Sequence, residues 1–183
     1  MKTLKLGLLI TAMLFMNACA YNLSVGSKEA AAKGITYNYD KFKKMGWLET
    51  EVYQGGMSQP VTQYNYRAKY SQDSNTADFI QIYGKMFSQI GWCFINSAYD
   101  DKGRKYKFHE IDRNVVSDSG MGVSYVVVHE HFAIDVPIER LEEFSNNDIE
   151  FKAVGKKCDT VFKVDHRVSA AFIDEIKNRS NKN

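Results

Sequence analysis

Between Val61 and Ser71 the side chains alternate, with Tyr64, Tyr66, Ala68 and Tyr70 on one parity and Gln63, Asn65, Arg67 and Lys69 on the other. An extended strand, whose side chains repeat every two residues, gathers each set on one face. A strand that is apolar on one side and polar on the other belongs in an antiparallel sheet covered on one side only. The rest of the chain has to supply that cover. The tyrosine stripe, with Trp47 and Tyr53 close in sequence, has two uses. It can pack under a helix, the use the strand preference of aromatic residues favours, or it can offer a surface to a glycan or peptide.

A strand over 47–53 is expected before this one, across the loop 54–60. The period then changes: Phe79, Ile82, Tyr83, Met86, Phe87 and Ile90 follow helical spacing after Ser74 and Asn75, which predicts a helix ending near Gly91. Residues 92–99 read as a strand with a turn at 100–103, and 104–116 and 123–136 as two longer strands around a turn at 117–122. Pro137 opens a short helical turn reaching Phe144. Short strands over 149–154 and 160–164 lead to a closing helix over 167–178, with Val168, Ala171, Phe172 and Ile176 inward. The expectation is an α+β domain over 45–183: a bent antiparallel sheet of about six to seven strands with at least two packed helices. Ahead of it, residues 20–34 read as a tether. Ser27 caps a short helix, and Glu29-Ala-Ala-Ala-Lys33 has the composition of a helical spacer.

The most pointed chemistry lies in Val-Val-Val-His129-Glu130-His131. If the two long strands pair so that Ser117 faces Val123, His109 falls opposite His131, Glu110 opposite Glu130 and Phe108 opposite Phe132. His109, His129 and His131 then share one face, and imidazoles so placed suit zinc or copper. Glu110 and Glu130 become neighbours on the apolar face, where two close carboxylates cannot both ionise easily, the arrangement acid/base hydrolases exploit. The plainer readings are a solvated histidine face, and a carboxylate pair that Arg113 or a lysine reaches over. Gly-x-Ser-x-Gly, Cys-x-x-Cys and a phosphate-cradling glycine loop are all absent from the sequence.

At the start of the chain, Lys2 and Lys5 precede an apolar run from Leu6 to Met16, a length of about 11 residues that suits a secretory signal and is too short for a membrane span. The run ends in Met16-Asn17-Ala18-Cys19, which resembles the lipobox of bacterial lipoproteins. The resemblance implies a diacylglyceryl thioether on Cys19 and cleavage before it, so that 1–18 is a signal peptide and 19–44 a lipidated cysteine with its tether. Ala20, where Asp would signal inner-membrane retention, leans toward the periplasmic side of an outer membrane if the source has two membranes.

Removing 1–18 takes two lysines and no acid from a chain of formal charge +2, leaving zero. Nucleic acid is therefore not an expected partner. Of three cysteines, Cys93 and Cys158 remain as a pair in an oxidising compartment. They form either a disulfide closing a long loop or two buried thiols. The expected role is a membrane-anchored envelope protein that binds an unidentified protein or envelope ligand and needs no cofactor. The alternatives are a metal-binding protein using the three histidines and, third, a hydrolase using Glu110 and Glu130.

Overall fold

The computed structural model describes residues 25–71, 74–120 and 123–181. The segment 1–18, the Met16–Cys19 motif, Ala20 and the pair Met121-Gly122 lie outside the described residues.

The first described helix, α1 (Lys28–Lys33), is capped by Ser27, as its sequence suggests. It is not a free spacer. Ala31 is buried, and Lys28 is ion-paired to Asp174 on the last helix. The chain then enters strands β1 (Thr36–Asp40), β2 (Met45–Glu49), β3 (Tyr53–Gln54) and β4 (Val61–Ser71), followed by β5 (Phe79–Ser88). Folded structure thus begins well before residue 45.

The segment 79–88 is the clearest departure from expectation. It forms a ten-residue strand, not a helix, paired to β4 on one side with Tyr66 opposite Ile82. As a central strand it carries apolar residues on both faces. Ile80, Ile82 and Met86 point into the core, while Phe79, Tyr83 and Phe87 share the other face. That double apolar pattern imitates helical spacing.

Strand β6 (Ile95–Asp100) leads into the long pair β7 (Phe108–Gly120) and β8 (Val123–Asp135). Helix α2 (Ile138–Phe144), strands β9 (Ile149–Gly155) and β10 (Asp159–Val164) and helix α3 (His166–Ser180) complete the described chain. Seven strands form one antiparallel sheet in the order β1-β2-β4-β5-β8-β7, with β3 also on β4. The other three form a small sheet, β10-β9-β6. This is an α+β fold, mainly β.

One face of the large sheet is closed. Tyr64, Tyr66, Tyr70, Ile82, Met86 and Phe132 are buried there under α3 and the small sheet. Tyr66 stacks on Phe172 of α3, with ring centroids 5.2 Å apart, and its hydroxyl meets Ser169 Oγ at 2.8 Å. The Tyr64 hydroxyl accepts from the Asp165 backbone N–H at the start of α3. The tyrosine stripe is therefore core: the Tyr64 and Tyr66 phenols are satisfied where they meet the helix, while the Tyr70 hydroxyl is buried without a hydrogen-bond partner among the described residues, its ring lying under Arg179. Phe132, Phe162, Phe151 and Phe144 continue the packing into the small sheet and α2. A disulfide joins Cys93 to Cys158 across 65 residues; closing a loop of that size stabilises by about 4 kcal/mol on a chain-entropy basis.

Candidate functional site

The register of β7 against β8 differs from the expected one. The strands pair out to Gly120 opposite Val123, and Ser117 faces Val126. A bulge at Ile111 shifts the pairing once more, between Glu110 and Asp112. His109 therefore lies opposite Ala133 rather than His131, Glu110 opposite Phe132 rather than Glu130, and Phe108 opposite Ile134 rather than Phe132. His131 faces Asp112, and Glu130 faces Arg113.

This register separates the two carboxylates. Glu130, 2% exposed, is on the closed face of the sheet. It accepts from three successive backbone N–H groups: Cys93 (2.6 Å), Phe94 (2.9 Å) and Ile95 (2.9 Å). Arg113 Nε adds a fourth bond at 3.1 Å, while its Nη1 reaches the half-exposed Glu110 at 2.9 Å. Consecutive amides converge on an anion only if the backbone curls. Phe94 does this with φ +56°, a left-handed conformation that costs a non-glycine residue about 1–2 kcal/mol. Charge-assisted bonds to the carboxylate offset that cost. The arrangement is a buried clasp fixing the segment beside the disulfide, with a guanidinium between the two acids.

On the open face the three histidines share a side of the sheet but not a common centre. His109 Nε2 is 2.9 Å from Asp135 Oδ1. His129 packs edge-on against Phe87 at 4.6 Å, and its ring centroid is 6.3 Å from that of His131. His131 Nδ1 lies 2.6 Å from the Tyr83 hydroxyl, and its Nε2 is buried by neighbours without a hydrogen-bond partner. Burial, with Lys85 beside them, pushes both His129 and His131 below the usual imidazole range. Among the described residues, the group of His, Cys, Asp or Glu side chains whose donor atoms meet within 4.8 Å is Asp148, Asp165 and His166. Asp148 is bonded to Lys163 and His166, and Asp165 to Arg167, so these groups already serve as ion pairs at the start of α3.

Around these histidines runs a continuous ladder. Arg67 lies over Tyr83 at 4.6 Å and over Trp47 at 5.3 Å, and its Nε donates to Gln81. Gln81 Nε2 donates to Asp135, which also faces His109 and Lys107. Burial pushes the Asp135 carboxyl up, but the bonds from Gln81, His109 and Lys107 outweigh it and hold the group below the usual carboxylate range. Lys85 lies 4.9 Å from the centre of Phe87. The ladder thus runs from β2 to β7, with half-buried aromatic rings and cations alternating. Sequence reasoning missed Tyr83, Lys85 and Phe87 as a surface because it placed 79–90 in a helix, and it offered Trp47 only as a neighbour of the tyrosine stripe. The available signal was the alternation of Phe79, Gln81, Tyr83, Lys85 and Phe87.

A groove of about 540 Å³ lies at the far end of the sheet, lined by Tyr106, Lys107, Asp135, Pro137 and Arg140 among others. Of its cations, Arg104 and Arg140 are engaged with Glu143 and Lys107 with Asp135, and Lys105 lies over Tyr99. No family model, no curated protein and no solved structure matches the chain. The functional reading rests on the geometry.

Proposed function

We propose that the chain is a lipid-anchored cell-envelope protein that binds a protein or envelope ligand through the open face of its large sheet. The anchoring half of this reading rests on the apolar run ending at Cys19, since two or more acyl chains on that sulfur would hold the domain stably at a membrane. With two membranes, the site of attachment is the periplasmic side of the outer one. The binding half rests on one observation: the Trp47-Arg67-Tyr83-His131 ladder lies on a sheet face that no described element covers. Aromatic and arginine side chains supply most of the energy in protein interfaces. Already held by stacking and hydrogen bonds, they lose little freedom on binding.

The other readings have less support. A zinc or copper site would need His109 to leave Asp135 and come to His129 and His131. A hydrolase built on Glu110 and Glu130 would need Arg113 to withdraw from between them.

A photoreactive residue placed at Phe87, in cells that process the full chain, tests the proposal. A discrete crosslinked species is expected from position 87 and not from the exposed Tyr39 on edge strand β1. Identical patterns at the two positions would overturn it.

A further inference from the structure

The structure shortens the leash between lipid and domain. Val25 is buried, Arg167 reaches the carbonyl of Gly26 at 3.5 Å, and α1 is packed on α3. From Cys19 to Val25 is six residues of chain, which span at most about 20 Å when fully extended. Given a lipid on Cys19, the part of the domain around Val25 stays within that distance of the membrane.

Val25 shares a cavity of about 200 Å³ with Tyr53, Gly55, Gly56 and Met57, which places it beside the loop that precedes β4. Strand pairing shows what else leaves the sheet at this end. Val61, the first residue of β4, faces Phe87 near the end of β5, and Ser88 faces Val128 of β8. The β7–β8 hairpin runs past this last β5 partner, from 127 back to 123, a projection of about 16 Å at 3.3 Å per residue. Three segments therefore emerge together, and each carries exposed apolar side chains: Met57 (74% exposed) in the first, Ile90 (72%) in the second, and Val115, Val116 and Val126 on the hairpin. Beside the second segment, Lys157 donates its backbone N–H to the Cys93 carbonyl and lies over Phe94, and Lys156 next to it is exposed.

We infer that this end of the sheet is the membrane-facing end, with Met57, Ile90, Val115, Val116 and Val126 meeting the lipid interface and Lys156 and Lys157 meeting anionic headgroups. Exposed apolar side chains with two lysines beside them suit that boundary, where short apolar groups enter the headgroup layer and cations stay in its negative potential. The short leash selects this end over the opposite one, where Phe42 is exposed on the β1–β2 turn among Lys41, Lys43 and Lys44. The inference rests on the lipid-anchored reading. It orients the domain so that the open face stands along the membrane normal and remains free for a partner.

The two tryptophans report the orientation. Trp92 follows Ile90 and Gly91 at the proposed contact; Trp47 pairs with Lys69 toward the far end. Full-length chain is expressed, its mature form purified, and single-tryptophan variants (Trp47→Phe and Trp92→Phe) are reconstituted in vesicles of phosphatidylethanolamine and phosphatidylglycerol. Lipid adduct mass and vesicle flotation are measured first. Brominated phospholipid is expected to quench Trp92 and leave Trp47 unchanged, and Met57→Asp with Ile90→Asp is expected to relieve that quenching while flotation persists. Quenching of Trp47 alone, equal quenching of both, or quenching of neither in protein that carries the adduct and floats would overturn the orientation and leave the anchor standing. A mature protein without a lipid adduct would overturn both.

Discussion

The two faces of the large sheet use similar residue types for opposite ends. On the closed face, Tyr64, Tyr66 and Phe132 are removed from water and matched by Phe172, Ser169 and the small sheet. On the open face, Trp47, Tyr83 and Phe87 are held by Arg67, Lys85 and the histidines, with water on their other side. The difference teaches that an aromatic side chain does not by itself mark core or surface. What distinguishes the faces is whether its partner comes from a covering helix or sheet or from the neighbouring strands of its own sheet. The closed face should carry the stability and the open face should be nearly free of that duty.

Substitutions measure how sharp the division is. Glu130→Ala leaves three buried amides and Arg113 without their acceptor, and should cost about 3–5 kcal/mol, the range for breaking a buried charged pair. Urea denaturation with an unchanged slope would read it; a loss like that of a surface substitution would mean that Glu130 is not the clasp. Gly84→Ala comes next. A Cβ at Gly84 would stand 2.3 Å from the Phe132 ring, so the ring must shift, at a cost of about 1–3 kcal/mol. On the open face, Arg67→Ala removes two ring contacts and the hydrogen bond to Gln81, and should cost about 1–2 kcal/mol. A cost equal to that of Glu130→Ala would collapse the distinction between the faces.

The smallest effect expected is one of pH. His129 and His131 have folded pKa values below the usual 6.5, chiefly through burial and then through Lys85. Below pH 6.5 the unfolded chain binds protons that the folded chain resists, so their contribution is present at neutral pH and is lost as pH falls through the lowered folded values. Chemical denaturation at pH 7 and at successively lower pH should show wild type losing more stability than His129→Gln/His131→Gln. Parallel curves would show that the two rings are not held neutral by the fold.

The legible parts of the sequence were those where one physical signal acted alone. Residues 63–70 alternate without exception, α1 has its Ser27 cap and α3 its apolar stripe, and the Cys93–Cys158 bond joins the two cysteines left after position 19. The strand at 79–88 was misread because its two faces are both apolar for different reasons, aliphatic toward the core and aromatic on the open side. The β7–β8 register was out of reach for a geometric reason. The strands pair as far as Gly120 opposite Val123, within the stretch 117–122 whose glycines and polar residues suggest a turn, and nothing in sequence announces the bulge at Ile111. The register at the turn moved the partners of Glu130 and His131, and the bulge moved those of Phe132 and Ala133. The candidate site consequently held the right face of β8 and the wrong neighbours, while Arg113 was anticipated only as a residue that could reach over.

The central claim is that the open face is kept for a partner and not for the fold. Lys85→Glu tests it most directly, since Lys85 lies over Phe87 and opposite His131 without contributing to the core. The account predicts stability within about 0.5 kcal/mol of wild type, as for a surface substitution, together with loss of the crosslink formed from position 87 in intact envelopes. A crosslink of undiminished yield from a stably folded Lys85→Glu protein would contradict it.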